Sequence, residues 1–127
     1  MYEIKIIGEF SGAHRLKNYK GKCENLHGHN WKVEVVVSGE FLDKTGLLLD
    51  FGILKEKLNF VLKKLDHKNL NRLSFFYRTN PTSENIAYYI FKKMKVLLKN
   101  LPVKIEKVTV WENEKQCASF IEKQERV

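Results

Sequence analysis

Four histidines, His14, His27, His29 and His67, are the side chains of this sequence best suited to hold a metal or move a proton. His27-Gly28-His29 lies just ahead of a strand-like run. If that stretch is extended, residues two apart face the same way, so both imidazoles reach one point. His14 follows the first strand-like run, which in an antiparallel pair lies beside the start of the second. Three imidazoles meeting from two neighbouring strands form a three-histidine site for zinc, with a fourth position left for water or substrate. Cys23 stands four residues before His27. A thiol beside a metal or a cationic imidazole is partly thiolate at neutral pH. It suits either a zinc ligand or a general base, and the three histidines favour the base. In Asp66-His67 the carboxylate can orient the imidazole and raise its pKa, which makes a proton relay. Glu112 beside Trp111 is either a solvated strand end or a bidentate acceptor for a guanidine-like donor set on a ligand. Cys117, next to Ala118, reads as a small buried apolar residue.

The elements that must position these groups are legible in the hydrophobic spacing. Tyr2, Ile4 and Ile6 alternate with Glu3 and Lys5, predicting a strand over 2–10. Val33, Val35 and Val37 predict a second strand over 31–41. Leu54, Leu58, Val61, Leu62 and Leu65 follow a helical stripe. Residues 66–79 read as irregular. Pro81-Thr82-Ser83-Glu84 has helix-start chemistry, and the helix runs through Ile90 and Met94 before stopping ahead of Pro102. Val108 to Glu112 and Cys117 to Ile121 predict two further strands around an Asn113-Glu114 turn. The order strand, strand, helix, helix, strand, strand predicts an α+β domain with an antiparallel sheet and two helices on one face. The other face and the sheet edges would then need cover, which oligomerisation supplies.

The chain has 127 residues, 43% hydrophobic and 30% charged, which predicts one folded domain over 1–127 and excludes disorder. No apolar run approaches a membrane span, Met1 to Lys5 has no signal-peptide layout, and two cysteines make no disulfide framework. These features predict a cytoplasmic protein. The net charge of +8 suits an anionic partner. A basic zinc-binding nucleic-acid module would also be small and positive. It would show a C-x2-C pair or a Lys/Arg stripe with stacking aromatics, and neither is present, so no nucleic-acid partner is expected.

Several segments occur together in order: Phe10-Ser11-Gly12-Ala13-His14-Arg15-Leu16, Cys23-Glu24-Asn25-Leu26-His27-Gly28-His29-Asn30, Leu65-Asp66-His67-Lys68-Asn69-Leu70, Pro81-Thr82-Ser83-Glu84-Asn85 and Trp111-Glu112. In this combination the chain, from Ile4 to Phe120, closely resembles the 6-pyruvoyltetrahydropterin synthase / 6-carboxytetrahydropterin synthase family. The resemblance implies the tunnelling fold, a four-stranded antiparallel sheet with two helices on one side. Three subunits close a barrel, and two trimers stack as a homohexamer with active sites between subunits. It implies zinc on His14, His27 and His29, Cys23 as general base, and Asp66 and His67 as the relay. It further implies that Glu112 anchors the pterin ring, with Thr82, Ser83 and Glu84 nearby, and that the substrate is 7,8-dihydroneopterin triphosphate.

The spacer between Cys23 and His27 is Glu24, Asn25 and Leu26. This short spacer resembles that of the 6-carboxytetrahydropterin synthases of queuosine (7-deazaguanine) biosynthesis, lyases that release acetaldehyde and triphosphate. A longer spacer resembles the 6-pyruvoyltetrahydropterin synthases. Two departures bear on the product. Asn113 stands where Ser or Thr commonly follows the pterin glutamate. Glu24 sits where some relatives that form 6-hydroxymethyldihydropterin for folate use a Glu.

Overall fold

The computed structural model describes residues 1–21 and 24–123. β1 (Tyr2–His14) and β2 (His27–Gly39) form a long antiparallel pair. β3 (Lys68–Asn69), β4 (Lys104–Asn113) and β5 (Gln116–Ile121) complete one sheet in the order β3-β1-β2-β4-β5. α1 (Phe51–Leu62) and α2 (Ser83–Leu97) pack on one face, giving the expected α+β architecture. The sheet has five strands rather than four, because the two residues of β3 pair in parallel with Gly12 and Ala13.

Alternation decides what each face does. Ile6 and Phe10 on β1, Trp31, Val33, Val35 and Val37 on β2, and Val108 and Val110 on β4 point into the core with the helices. Gly8 lies on this face, and a Cβ there would come within 2.8 Å of Leu62 and 2.9 Å of Leu58. Its bare backbone is what lets α1 settle on β1. Asp50 caps α1 by accepting the Gly52 N–H at 2.7 Å. Thr82 caps α2 by accepting the Asn85 N–H at 3.1 Å, with Glu84 in the first turn near the positive dipole end.

The opposite face, which no element of the chain covers, carries polar pairs. Lys5 pairs with Glu34 at 3.5 Å, Lys32 lies 4.5 Å from the Trp111 ring centroid, and the Thr109 and Ser119 hydroxyls meet at 2.6 Å. Such a polar ladder tolerates water. The unmet demand lies at the edges, where β3 covers only two residues of β1 and β5 is the outermost strand.

Other boundaries differ for identifiable reasons. β1 continues past Phe10 to His14, and β2 begins at His27 rather than Trp31. Ser11 to His14 and His27 to Asn30 carry no hydrophobic alternation, yet they pair with each other residue for residue. β2 ends at Gly39, leaving Phe41 84% exposed. Residues 66–79 hold β3 and two 3₁₀ turns, Leu70–Arg72 and Ser74–Phe76. Cys117 is exposed, correcting its reading as a buried residue: on β5 it is Ala118 and Phe120 that turn inward, which sends Cys117 outward. No helix among the described residues is long and apolar enough to cross a membrane.

Replacing Gly8 by Val should force α1 off β1 and cost about 1–3 kcal/mol, the usual penalty for overpacking. Urea unfolding measures this, and an unchanged midpoint would contradict the close approach.

Candidate metal centre and catalytic groups

The β1–β2 register creates the site. His14 pairs with His27, Gly12 with His29 and Phe10 with Trp31. Cross-strand partners share a face, as do residues two apart, so all three imidazoles project from the helix-covered side. Their ring centroids lie 4.7–5.2 Å from one another. Trp31 is the floor of the site, with its ring 4.9 Å from that of His14 and 5.1 Å from that of His29. Its indole N–H donates to the Gly12 carbonyl at 3.1 Å and locks it in place.

Glu112 completes the cluster from β4. It occupies an irregularity in the β4–β5 pairing, between the Trp111–Cys117 and Asn113–Gln116 pairs. It continues the inward alternation of Val108 and Val110, which puts its side chain on the face of the histidines. Its Oε1 lies 3.0 Å from His29 Nε2 and 3.6 Å from His14 Nε2, and its Oε2 accepts from Gln116 Nε2 at 3.0 Å. One donor atom from each of His14, His27, His29 and Glu112 lies within 4.8 Å of the others.

The hydrogen bonding around the rings fits a metal ion. His14 Nδ1 meets the Pro81 carbonyl at 2.7 Å, and His27 Nδ1 meets the Asn25 carbonyl at 2.8 Å. A carbonyl can only accept, so each Nδ1 carries the proton and each Nε2 presents a lone pair. The Nε2 atoms of His14 and His29 are buried and make no hydrogen bond, despite the nearby carboxylate oxygen. Buried nitrogen lone pairs aimed at a common point beside a carboxylate are a cation's donor set. Burial pushes the His29 pKa down, opposed by Glu112 and reinforced by His14 and His27, so the ring is neutral and able to ligate.

Asp66 and His67 form a second group. Asp66 Oδ1 accepts the Ser11 N–H at 2.9 Å, and Oδ2 lies 2.9 Å from His67 Nδ1. The Ser11 N–H first, then His67, hold the Asp66 carboxyl below its usual pKa. It therefore stays ionised, and the stability it adds is present above the ordinary carboxyl pKa and lost as pH falls through the depressed one. His67 has a φ of 57°, a left-handed conformation that swings the chain from α1 alongside β1. Its side chain is 81% exposed and lines an open cavity of about 450 Å³ together with Ser11, His29, Asn30 and Lys68.

The loop between β1 and β2 is tied down by Asn71 and Asn80, which the sequence did not single out, and by Glu24. Asn71 accepts the Arg15 N–H and donates to the Arg15 carbonyl, both at 2.9 Å. Asn80 does the same for Lys17, at 2.7 and 2.9 Å. Glu24 and Leu16 exchange two further bonds, the Glu24 Oε1 accepting the Leu16 N–H at 3.0 Å and the Leu16 carbonyl accepting the Glu24 N–H at 3.0 Å. Cys23 lies outside the described residues. Thr82 is a helix cap, Ser83 is half-buried and Glu84 is exposed. Their link to the cluster is Pro81, whose carbonyl holds His14. Trp31 was findable, since it continues the His27, His29 alternation. Asn71, Asn80 and Gln116 were not, because an amide that mimics backbone pairing leaves no periodic trace.

The chain superposes on Caenorhabditis elegans 6-pyruvoyl tetrahydropterin synthase with a TM-score of 0.84, at 36% identity and 96% coverage of each chain. The family model for 6-pyruvoyl tetrahydropterin synthase matches residues 3–123, and the chain belongs to that family. It is 43% identical over 105 residues to the dihydroneopterin monophosphate aldolase of Pyrococcus furiosus, covering 81% of this chain and 82% of the relative. It is 40% identical over 90 residues to the 6-carboxy-5,6,7,8-tetrahydropterin synthase of a Synechocystis species, covering 67% of this chain and 68% of the relative. The protein is an enzyme, a lyase acting on pterins.

The His27→Ala, His29→Ala double variant should lose its metal, while wild type holds about one ion per chain. Elemental analysis of purified protein checks this, and full metal content in the double variant would rule out the cluster. Asn71→Ala should cost about 1–3 kcal/mol, since it strands the Arg15 N–H and carbonyl. Thermal unfolding reads that loss.

Proposed function

We propose that the protein is a zinc-dependent 6-carboxy-5,6,7,8-tetrahydropterin synthase, converting 7,8-dihydroneopterin triphosphate with release of acetaldehyde and triphosphate in queuosine biosynthesis. The observation that carries the metal-dependent part is the set of unpartnered Nε2 atoms of His14 and His29 facing Glu112. The three-residue spacer from Cys23 to His27 supports the product, as does the likeness to the Synechocystis enzyme of that name.

In this reading His14, His27 and His29 hold zinc, with their protonated Nδ1 atoms fixed on carbonyls for His14 and His27. When bound, zinc supplies Lewis-acid stabilisation of negative charge on the substrate's side-chain oxygens. Glu112 grips the donor edge of the pterin. Thr82, Ser83 and Glu84 at the start of α2 flank the ring. Cys23 is the base that takes a proton from the substrate side chain. Asp66 keeps His67 oriented, and the exposed His67 ring returns protons across the cavity it shares with His29. Lys68 lines the same cavity, and with the net charge of +8 it favours a polyphosphate tail.

The active form is a cytoplasmic homohexamer, a dimer of trimers. Its support here is the open sheet with two poorly covered edges. The segment between β2 and α1 also exposes Phe41, Leu42 and Leu47.

A second reading is a retro-aldol reaction to a 6-hydroxymethyl product with Glu24 as base. The Pyrococcus furiosus relative, named an aldolase, favours it. Against it, Glu24 Oε1 is already occupied by the Leu16 N–H, the arrangement of a loop clip. Formation of a 6-pyruvoyl product is the third possibility within the family.

Incubation of the zinc-loaded protein with dihydroneopterin triphosphate should yield 6-carboxytetrahydropterin by mass spectrometry. A 6-hydroxymethyl or 6-pyruvoyl product would replace the assignment. Cys23→Ala should keep its zinc and lose about 10²–10⁴-fold in rate. Glu24→Ala should stay active at reduced stability, and the reverse pattern would favour the aldolase reading.

A further inference from the structure

The two oxygens of the Glu112 carboxylate point to different neighbours. Oε1 faces the Nε2 atoms of His29 and His14 at 3.0 and 3.6 Å, and Oε2 is held by Gln116 Nε2 at 3.0 Å. A bidentate grip on a pterin's amino and ring N–H donors requires both oxygens. Held this way, the carboxylate directs Oε1 at the histidines and Oε2 at Gln116, so a pterin edge that takes both oxygens competes with both.

We propose that Glu112 closes the resting metal site as its fourth donor, latched by Gln116, and exchanges to the pterin when substrate arrives. The inference rests on the reading of this site as a zinc and pterin site, and it assigns the cluster a closed state.

Two observations carry the exchange independently of that reading. Glu112 faces the histidines by continuing the inward alternation of Val108 and Val110, and the pairing irregularity leaves it without a β5 partner, between the Trp111 and Asn113 pairs. Gln116, the first residue of β5, sits directly opposite Asn113 and reaches back to the carboxylate from an exposed position. The latch is therefore a single solvent-side hydrogen bond from one amide, which the pterin's two parallel N–H donors can outcompete. Gln116 is a positioning residue: it acts on the metal site only through Glu112.

The consequence is an antagonism that can be measured without turnover. A donor that must leave the ion to bind the pterin makes zinc and pterin head weaken each other's binding, by the same factor in both directions. Unsubstituted pterin, which has the ring and no side-chain hydroxyls, is the probe, with its own fluorescence as the signal. Pterin should bind several-fold more tightly to metal-free protein than to zinc-loaded protein, and zinc should dissociate more readily in saturating pterin by the same factor. Gln116→Ala should weaken zinc binding on the order of 10-fold to 100-fold, as loss of an outer hydrogen bond to a ligand does. Equal or tighter pterin binding on zinc loading would overturn the exchange. So would unchanged zinc affinity in Gln116→Ala. Failure of the wild-type protein to take up zinc at all would overturn the reading of the site itself, and the exchange with it.

Discussion

The site depends on the register between β1 and β2. Because side chains alternate along a strand, a slip of one residue would turn His27 and His29 to the solvated face while His14 stayed in the core. The register is fixed from below by the buried pairing of Phe10 with Trp31 and Ile6 with Val35. Trp31 links the two functions of the strand pair. Its ring packs in the core against Phe10, and its N–H fastens to the Gly12 carbonyl opposite His29. The geometry of the histidine cluster is thus set by hydrophobic packing further along the same two strands, where the burial free energy lies.

Around that pair, the remaining elements act as orienting groups. α2 is capped by Thr82 so that the preceding Pro81 carbonyl meets His14. The left-handed turn at His67 brings the Asp66 carboxylate onto the Ser11 N–H, so the acid that orients His67 also anchors the chain to β1. Asn71 and Asn80 continue the pairing of the strand past His14 with their own amides. Each is a single polar contact, weak alone, that fixes the direction of a side chain whose distance is set by the sheet.

Much of this was legible in the residues. The alternation of valines in β2 and the stripe from Leu54 to Leu62 reported packing, and packing is what periodicity encodes. His27-Gly28-His29 was readable because an extended chain repeats every two residues. What stayed hidden follows from the same physics. Ser11 to His14 is a strand held by partners rather than by an apolar face, so its pattern stopped at Phe10. Cys117 looked like a core residue because the phase of an edge strand cannot be read from one cysteine. The polarity of the open face was legible in Glu3 and Lys5, and the register adds that Lys5 pairs with Glu34 across the strands. Glu112 continues the inward alternation of Val108 and Val110, but its meeting with the histidines depends on β4 lying beside β2, which neither strand shows alone.

If imidazoles brought together by strand register hold the ion, Cys23 is left free to act as a base. X-ray absorption at the zinc edge of the resting protein should then show neighbours of nitrogen and oxygen only, at about 2.0–2.2 Å, with multiple scattering from imidazole rings. A sulfur neighbour at about 2.3 Å would contradict it, by making Cys23 a ligand rather than the base.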